Sequence, residues 1–166
     1  MSVLVDLEGR EEPVVNICPD GTQGKVISIG DLPIQLPKVP TKKKILFHNL
    51  KKQDQYWKRQ ELPSDLALIS SMDEWSQTPD EFRKKYESYI KTEYERRRNG
   101  VWFYNNGEPT YISGHHYFFL QWSKIDVGYP SFLQFQQQLF LHMEACFRDP
   151  RCLGQVYTKC RRSGYT

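Results

Sequence analysis

The run Lys159-Cys160-Arg161-Arg162-Ser163-Gly164-Tyr165-Thr166 places a lysine, two arginines, a glycine and two aliphatic hydroxyls within eight positions. It follows Gly154-Gln155-Val156-Tyr157-Thr158, whose composition predicts a short strand. A strand feeding a glycine-containing loop that ends in Thr is the layout of a phosphate-binding loop. In the standard pattern, G-x-x-x-x-G-K-S/T, backbone N–H groups cradle phosphate, the Lys reaches the β- and γ-oxygens, and the hydroxyl holds Mg²⁺. Aligning Thr166 with the hydroxyl position puts Gly164 at the second Gly, Tyr165 where Lys is expected and Lys159 where the first Gly is expected. The strict pattern therefore fails twice. The relocated lysine is still chemically sound, because a loop that turns tightly around a phosphate lets a long side chain reach the same oxygens from either end. Arg161 and Arg162 add charge for the γ-phosphate, and Tyr165 is free to pack beneath the loop.

The departure has a known form. Lys-x-x-Arg-x-Gly-Tyr-Ser/Thr resembles the deviant Walker A motif of viral terminase large subunits, notably the lambda-like branch, in which the phosphate-binding Lys opens the loop. The flanks agree: Tyr111-Ile112-Ser113-Gly114-His115-His116-Tyr117-Phe118-Phe119-Leu120, and Gly128-Tyr129-Pro130 leading to a Gln-containing helix, resemble the region upstream of that loop in tailed-phage terminases. The resemblance covers about residues 100–166 and does not reach residues 1–75.

It implies an α/β fold class: the N-terminal portion of a P-loop NTPase, the terminase ATPase domain, incomplete and preceded by an extended arm with short strands and helices. The implied enzyme is a motor ATPase with a nuclease domain that packages double-stranded DNA into procapsids. The implied cofactors are ATP and Mg²⁺. Lys159 is the catalytic residue of the loop and, with the loop positions Cys160, Arg161, Arg162, Ser163, Gly164 and Tyr165, holds the nucleotide; Thr166 holds the metal through Mg-ATP. Of Gln134, Gln136, Gln137 and Gln138, about 20 residues before the loop, Gln137 is taken as the adenine-reading amide. The implied partners are double-stranded DNA, a portal protein and a small terminase subunit, in an oligomeric ring, in the host cytoplasm and transiently at the portal vertex. The Walker B acidic pair, the catalytic Glu and the nuclease carboxylates are not in this sequence. The expectation is thus a part of a longer protein, inactive in hydrolysis by itself.

Other candidates have plainer readings beside them. His115-His116 offers ligands or a base, but a pair in an aromatic helix reads first as packing and hydrogen bonding. His142, Cys146, Cys152 and Cys160 invite zinc, yet no Cys-x-x-Cys pair exists, and buried reduced thiols are the simpler reading. Asp126 and Glu144 have no partner at a defined spacing, and no nucleophile triad is evident. The basic islands Lys42–Lys44, Lys51-Lys52, Lys58-Arg59, Arg83–Lys85 and Arg96–Arg98 read as solvated surface, or as the contact face of a non-catalytic nucleic-acid- or protein-binding module, the alternative function class.

The whole chain of 166 residues is of one-domain length, with net charge +3 and 26% charged residues. Its 9 Phe, 10 Tyr and 4 Trp exclude disorder throughout. The longest apolar stretch, Tyr117 to Trp122, is far short of the ~20 residues of a membrane span. Nothing near Met1 reads as a signal peptide, so a soluble cytosolic protein is expected.

Three regions must position the loop. Residues 1–45, rich in Pro and turn signals, predict an extended or β-like arm, with Val14–Ile17 and Lys25–Ile29 as short strands and no part in the core. Residues 46–100 are basic and helical. Thr78-Pro79-Asp80-Glu81 predicts a capped start to a helix over 79–98, stopped by Asn99-Gly100. Residues 101–166 open the ATPase domain. A hairpin turns at Asn105-Asn106-Gly107, Ser113 caps an aromatic helix over 114–123, and a helix over 131–148 presents Phe132, Phe135, Leu139, Phe140, Met143 and Phe147 on one face.

Overall fold

The computed structural model describes residues 3–5, 11–126 and 128–156. It is a mixed α/β protein of small sheets and helices. Strands β1 (Val3–Val5) and β2 (Glu11–Pro13) pair antiparallel. Strands β3 (Val15–Asn16), β4 (Val26–Ile29) and β5 (Leu32–Gln35) form a sheet of order β3-β5-β4. β5, which carries Pro33, is not among the strands the sequence predicts. That proline is tolerated in the middle strand because β3 pairs only with Ile34 and Gln35, leaving Pro33 at a local edge.

This sheet corrects the reading of the first 45 residues as lying outside the core. Val15, Ile17, Ile34 and Leu36 are buried against Tyr111, Leu141 and Ala145. Short alternating strands next to Pro and Gly look like an arm in sequence. They bury one face here because helix α5 (Gln134–Arg148) lies across them.

A hairpin divides this cluster from a second one. Strands β6 (Val101–Asn105) and β7 (Glu108–Ile112) are joined by Asn106-Gly107, with φ of 49° and 88°. Two left-handed residues are what a two-residue loop with the strands' own twist requires. The pleat then sorts the side chains. Trp102 and Tyr111, directly paired, face the β3–β5–β4 side, while Val101, Phe103 and Ile112 face the other. There Trp57 meets Phe103 and Tyr117 edge to face, with Leu120 buried in the same cluster. Leu46 extends the hairpin edge, donating to Trp102 O and accepting from Tyr104 N.

The helices around this hairpin are α1 (Ser64–Ala67), α2 (Met72–Gln77), α3 (Asp80–Asn99) and α4 (Gly114–Trp122). α3 ends at Gly100 as expected, but Thr78 does not cap it. The Thr78 hydroxyl donates to Trp75 O and closes α2. A serine cap sits instead at α2, where Ser71 Oγ accepts from Glu74 N and the Glu74 carboxylate accepts from the N–H of Ser70, one residue before the cap. α4 starts where expected, with Ser113 Oγ accepting from His116 N. Its first residue must be glycine, since a Cβ on Gly114 would stand 1.9 Å from the Arg97 carbonyl oxygen of α3.

α5 is shorter than expected and rotated. It begins at Gln134, not 131, and buries Gln136, Leu141 and Ala145, while Phe147 is 72% exposed. The aromatic stripe was a poor guide because the helix packs between two clusters. Leu141 and Ala145 serve the sheet, while Phe132 and Phe140 stack on His116 of α4.

Candidate functional site

Positions 157–166, including Lys159, Cys160, Arg161, Arg162, Ser163, Gly164, Tyr165 and Thr166, lie outside the described residues. Their approach is described. α5 ends at Asp149, whose carbonyl accepts from Cys152 N and whose carboxylate takes a forked pair of hydrogen bonds from Arg151, 2.9 Å from Nε and 2.6 Å from Nη2. That fork, reinforced by the Arg151 backbone N–H, holds the Asp149 carboxyl down to about 2. Gln155 Nε2 donates to His142 O and ties the segment back to α5. The strand expected from Gly154 is not formed over 154–156, because a strand needs a neighbour and none pairs with it among the described residues. Leu153 and Val156 are 101% and 95% exposed.

Gln137 is half-buried. Its Nε2 donates to the Tyr111 carbonyl at 2.6 Å, linking α5 to β7. It also lines a cavity of about 270 Å³ with Asn105, Glu108, Thr110, Phe132 and Gln134. One amide hydrogen is therefore spent on the fold. Gln136 is buried in the core, and Gln134 and Gln138 are exposed.

The two histidines have separated roles. His116 is fully buried and stacked on Phe140 at 4.6 Å and 11°, and neither ring nitrogen has a partner among the described residues. Burial pushes its pKa down to about 3, so the ring is neutral. His115 Nδ1 lies 2.7 Å from Glu144 Oε2, and Arg148 donates to Glu144 Oε1. Glu144 thus has two partners. Arg148 at i+4 was visible in sequence, while His115 comes from 29 positions away.

His142 Nδ1 lies 3.8 Å from Cys146 Sγ, and burial raises the Cys146 thiol. No group of three or more His, Cys, Asp or Glu able to hold a metal ion occurs among the described residues, and Cys160 lies outside them. Burial likewise pushes the Cys18 thiol up to about 11, and its Sγ–H donates to Gln35 O.

A buried polar network escaped the sequence reading. Glu93 is 5% exposed in α3. It accepts from Tyr117 Oη at 2.7 Å and from Arg96 Nη1 at 2.7 Å. The signal was present: Tyr86, Ile90, Glu93 and Arg97 share one helical face, so an acid falls on the packed stripe. Gln121, fully buried, accepts from Gln60 N and donates to Gln60 O, strapping that extended segment to α4 as a strand neighbour would.

No protein-family model, curated protein or solved structure matches the chain. No described helix is long and apolar enough to cross a membrane.

Proposed function

We propose that the chain is the N-terminal portion of a tailed-phage terminase large subunit, the ATPase that drives double-stranded DNA into procapsids. One observation carries this reading: the run Lys159 to Thr166 with its flanks at 111–120 and 128–130. In this reading Lys159 and the loop N–H groups bind the β- and γ-phosphates of ATP, Thr166 holds Mg²⁺, and Arg161 or Arg162 faces the γ-phosphate. Bound ATP and Mg²⁺ supply the transferable phosphoryl group and its charge neutralisation. The chain's part is to aim a cation and a row of backbone donors at fixed oxygens, and rigid α5 anchors the loop's approach through Gln155 and Asp149. The exposed Leu153 and Val156 support the reading, since a run entering a parallel sheet carries apolar side chains for neighbours to cover.

The test is the coding sequence beyond Thr166. The reading expects a strand ending in an acidic pair, a catalytic Glu, and then a carboxylate cluster of nuclease type. Their absence would favour the non-catalytic basic module, for which the exposed Lys42–Lys44 and Lys51-Lys52 are the supporting feature.

A further inference from the structure

We propose that Arg59 and Arg97 form the charged rim of a binding site for a phosphate-type oxyanion, with the Tyr89 hydroxyl, the Arg97 Nε–H and the Trp122 indole N–H as its inner donors. The site lies in the seam between α3 and the end of α4 and does not depend on the loop at 159–166.

The placement follows from helical spacing. Tyr89, Glu93 and Arg97 share one face of α3, and that face meets α4. The Arg97 guanidinium sits 4.5 Å from the Trp122 ring, 5.4 Å from Phe118 and 5.8 Å from Tyr94. Arg59 arrives on the strap beside α4, where its Nε donates to the Gln121 carbonyl and its guanidinium lies 3.8 Å over Tyr129. The Tyr89 hydroxyl lies in the field of both. Its pKa is raised by burial first and by Glu93 next, against the opposing charges of Arg96, Arg97 and Arg59.

Charge accounting shows what the seam lacks. Its carboxylate, Glu93, is already held by Arg96 and Tyr117. Neither Arg59 nor Arg97 has an ion-pair partner among the described residues. Tyr89 Oη, Arg97 Nε and Trp122 Nε1 are each shielded from water without a hydrogen-bond partner among them. Shielded donors left unpaired are costly. Three of them beside two guanidiniums that have no ion-pair partner among the described residues are complementary to one kind of ligand, an anion with several acceptor oxygens. Donors carried on three separate elements, α3, α4 and the strap, suit such an oxyanion. The Arg97 guanidinium rests on the ring faces of Tyr94, Phe118 and Trp122, which hold its charge at the seam without neutralising it. Tyr94 and Tyr129, 66% and 44% exposed, leave the rim open to solvent.

The test uses the whole 166-residue chain labelled with ¹⁵N. The Trp122 indole resonance is assigned with Trp122→Phe and followed during titration with inorganic phosphate, with sodium chloride at matched ionic strength as the control. The expected result is a saturable shift with a Kd on the order of 1 mM, lost or weakened at least tenfold in Arg97→Leu and in Arg59→Ala, and weakened a few-fold in Tyr89→Phe. Arg59→Ala and Tyr89→Phe keep the test decisive if Arg97→Leu does not fold. A single-stranded oligothymidylate is the second arm. A shift of the same resonance at a hundredfold lower concentration identifies a nucleic-acid backbone as the source of the phosphate, and a response to inorganic phosphate alone identifies a free ion. No saturable shift in either arm, an equal shift with chloride, or a shift unchanged in the Arg59 and Arg97 variants would overturn the assignment.

Discussion

Around α4, Gln121 exchanges two hydrogen bonds with Gln60, Glu93 is held by Tyr117 and Arg96, and Phe103, Tyr117 and Leu120 are fully buried. Beyond α5 the pattern reverses. Leu153 and Val156 are displayed to solvent, and the backbone of 154–156 joins no sheet. The first region buries its apolar side chains and pairs Gln121 and Glu93 within the chain, whereas the second displays two aliphatic side chains to solvent. Stability therefore resides in the first region, where the buried side chains are. The hairpin and its helices form a framework, to which residues 149–156 are tied by Gln155 on His142 O while Leu153 and Val156 stay exposed.

The largest effect is expected from a truncation inside the framework. Phe103→Ala should cost about 3–5 kcal/mol, because a fully buried ring shared by Phe47, Trp57 and Phe132 leaves a cavity that rigid neighbours cannot fill. Chemical denaturation reads this directly. A loss under 1 kcal/mol would mean that the aromatic core is looser than its geometry.

Glu93→Ala comes next. Two charge-assisted hydrogen bonds disappear, so the expected loss is about 1.5–3 kcal/mol, with Glu93→Gln recovering part of it because Gln still accepts from Tyr117. An equal loss in both variants would show that charge, not hydrogen bonding, holds α3 to α4.

His116 sets a pH dependence with a definite sign. Its folded pKa is depressed to about 3 from the ordinary 6.5. Between those values the unfolded chain takes up a proton that the folded chain does not, so stability falls as pH drops from about 6.5 towards 3. The slope from this residue is on the order of 1.4 kcal/mol per pH unit inside the window. His116→Phe should flatten that part of the acid limb relative to wild type. Parallel curves for the two proteins would contradict a neutral buried ring.

The smallest effect belongs to the exit segment. Leu153→Ser and Val156→Ser should each change stability by less than about 0.5 kcal/mol, as expected of exposed side chains. A loss above 1 kcal/mol would mean that they pack on the framework after all, and the comparison would collapse.

Local chemistry was well written in the sequence where one residue decided it. Asn106-Gly107 announced the hairpin, Ser113 the start of α4, and Gly100 the end of α3. What could not be read were choices made by tertiary contact. Thr78 read as the cap of α3, but its hydroxyl donates to Trp75 O, and the serine cap that forms is Ser71, at the start of α2. The first 45 residues looked like an arm because their sheet is buried by α5, an element a hundred positions away. The face of α5 was misjudged because two clusters share it. Glu93 was legible as an acid on a packed stripe, but its partner Tyr117 lay 24 positions off, beyond any local rule. For the candidate loop the motif alone speaks, since 157–166 lie outside the described residues.

In the proposed function Lys159, not a lysine at the end of the loop, is the phosphate lysine of an ATP-driven DNA motor. This role is tested most directly by Lys159→Ala in the full-length protein, measured by steady-state ATP hydrolysis and by packaging of double-stranded DNA into procapsids. Loss of a charge-assisted contact to the transferring phosphate should abolish both. An ATPase rate within a few-fold of wild type would show that Lys159 is ordinary surface charge, and the phosphate-loop assignment would fall with it.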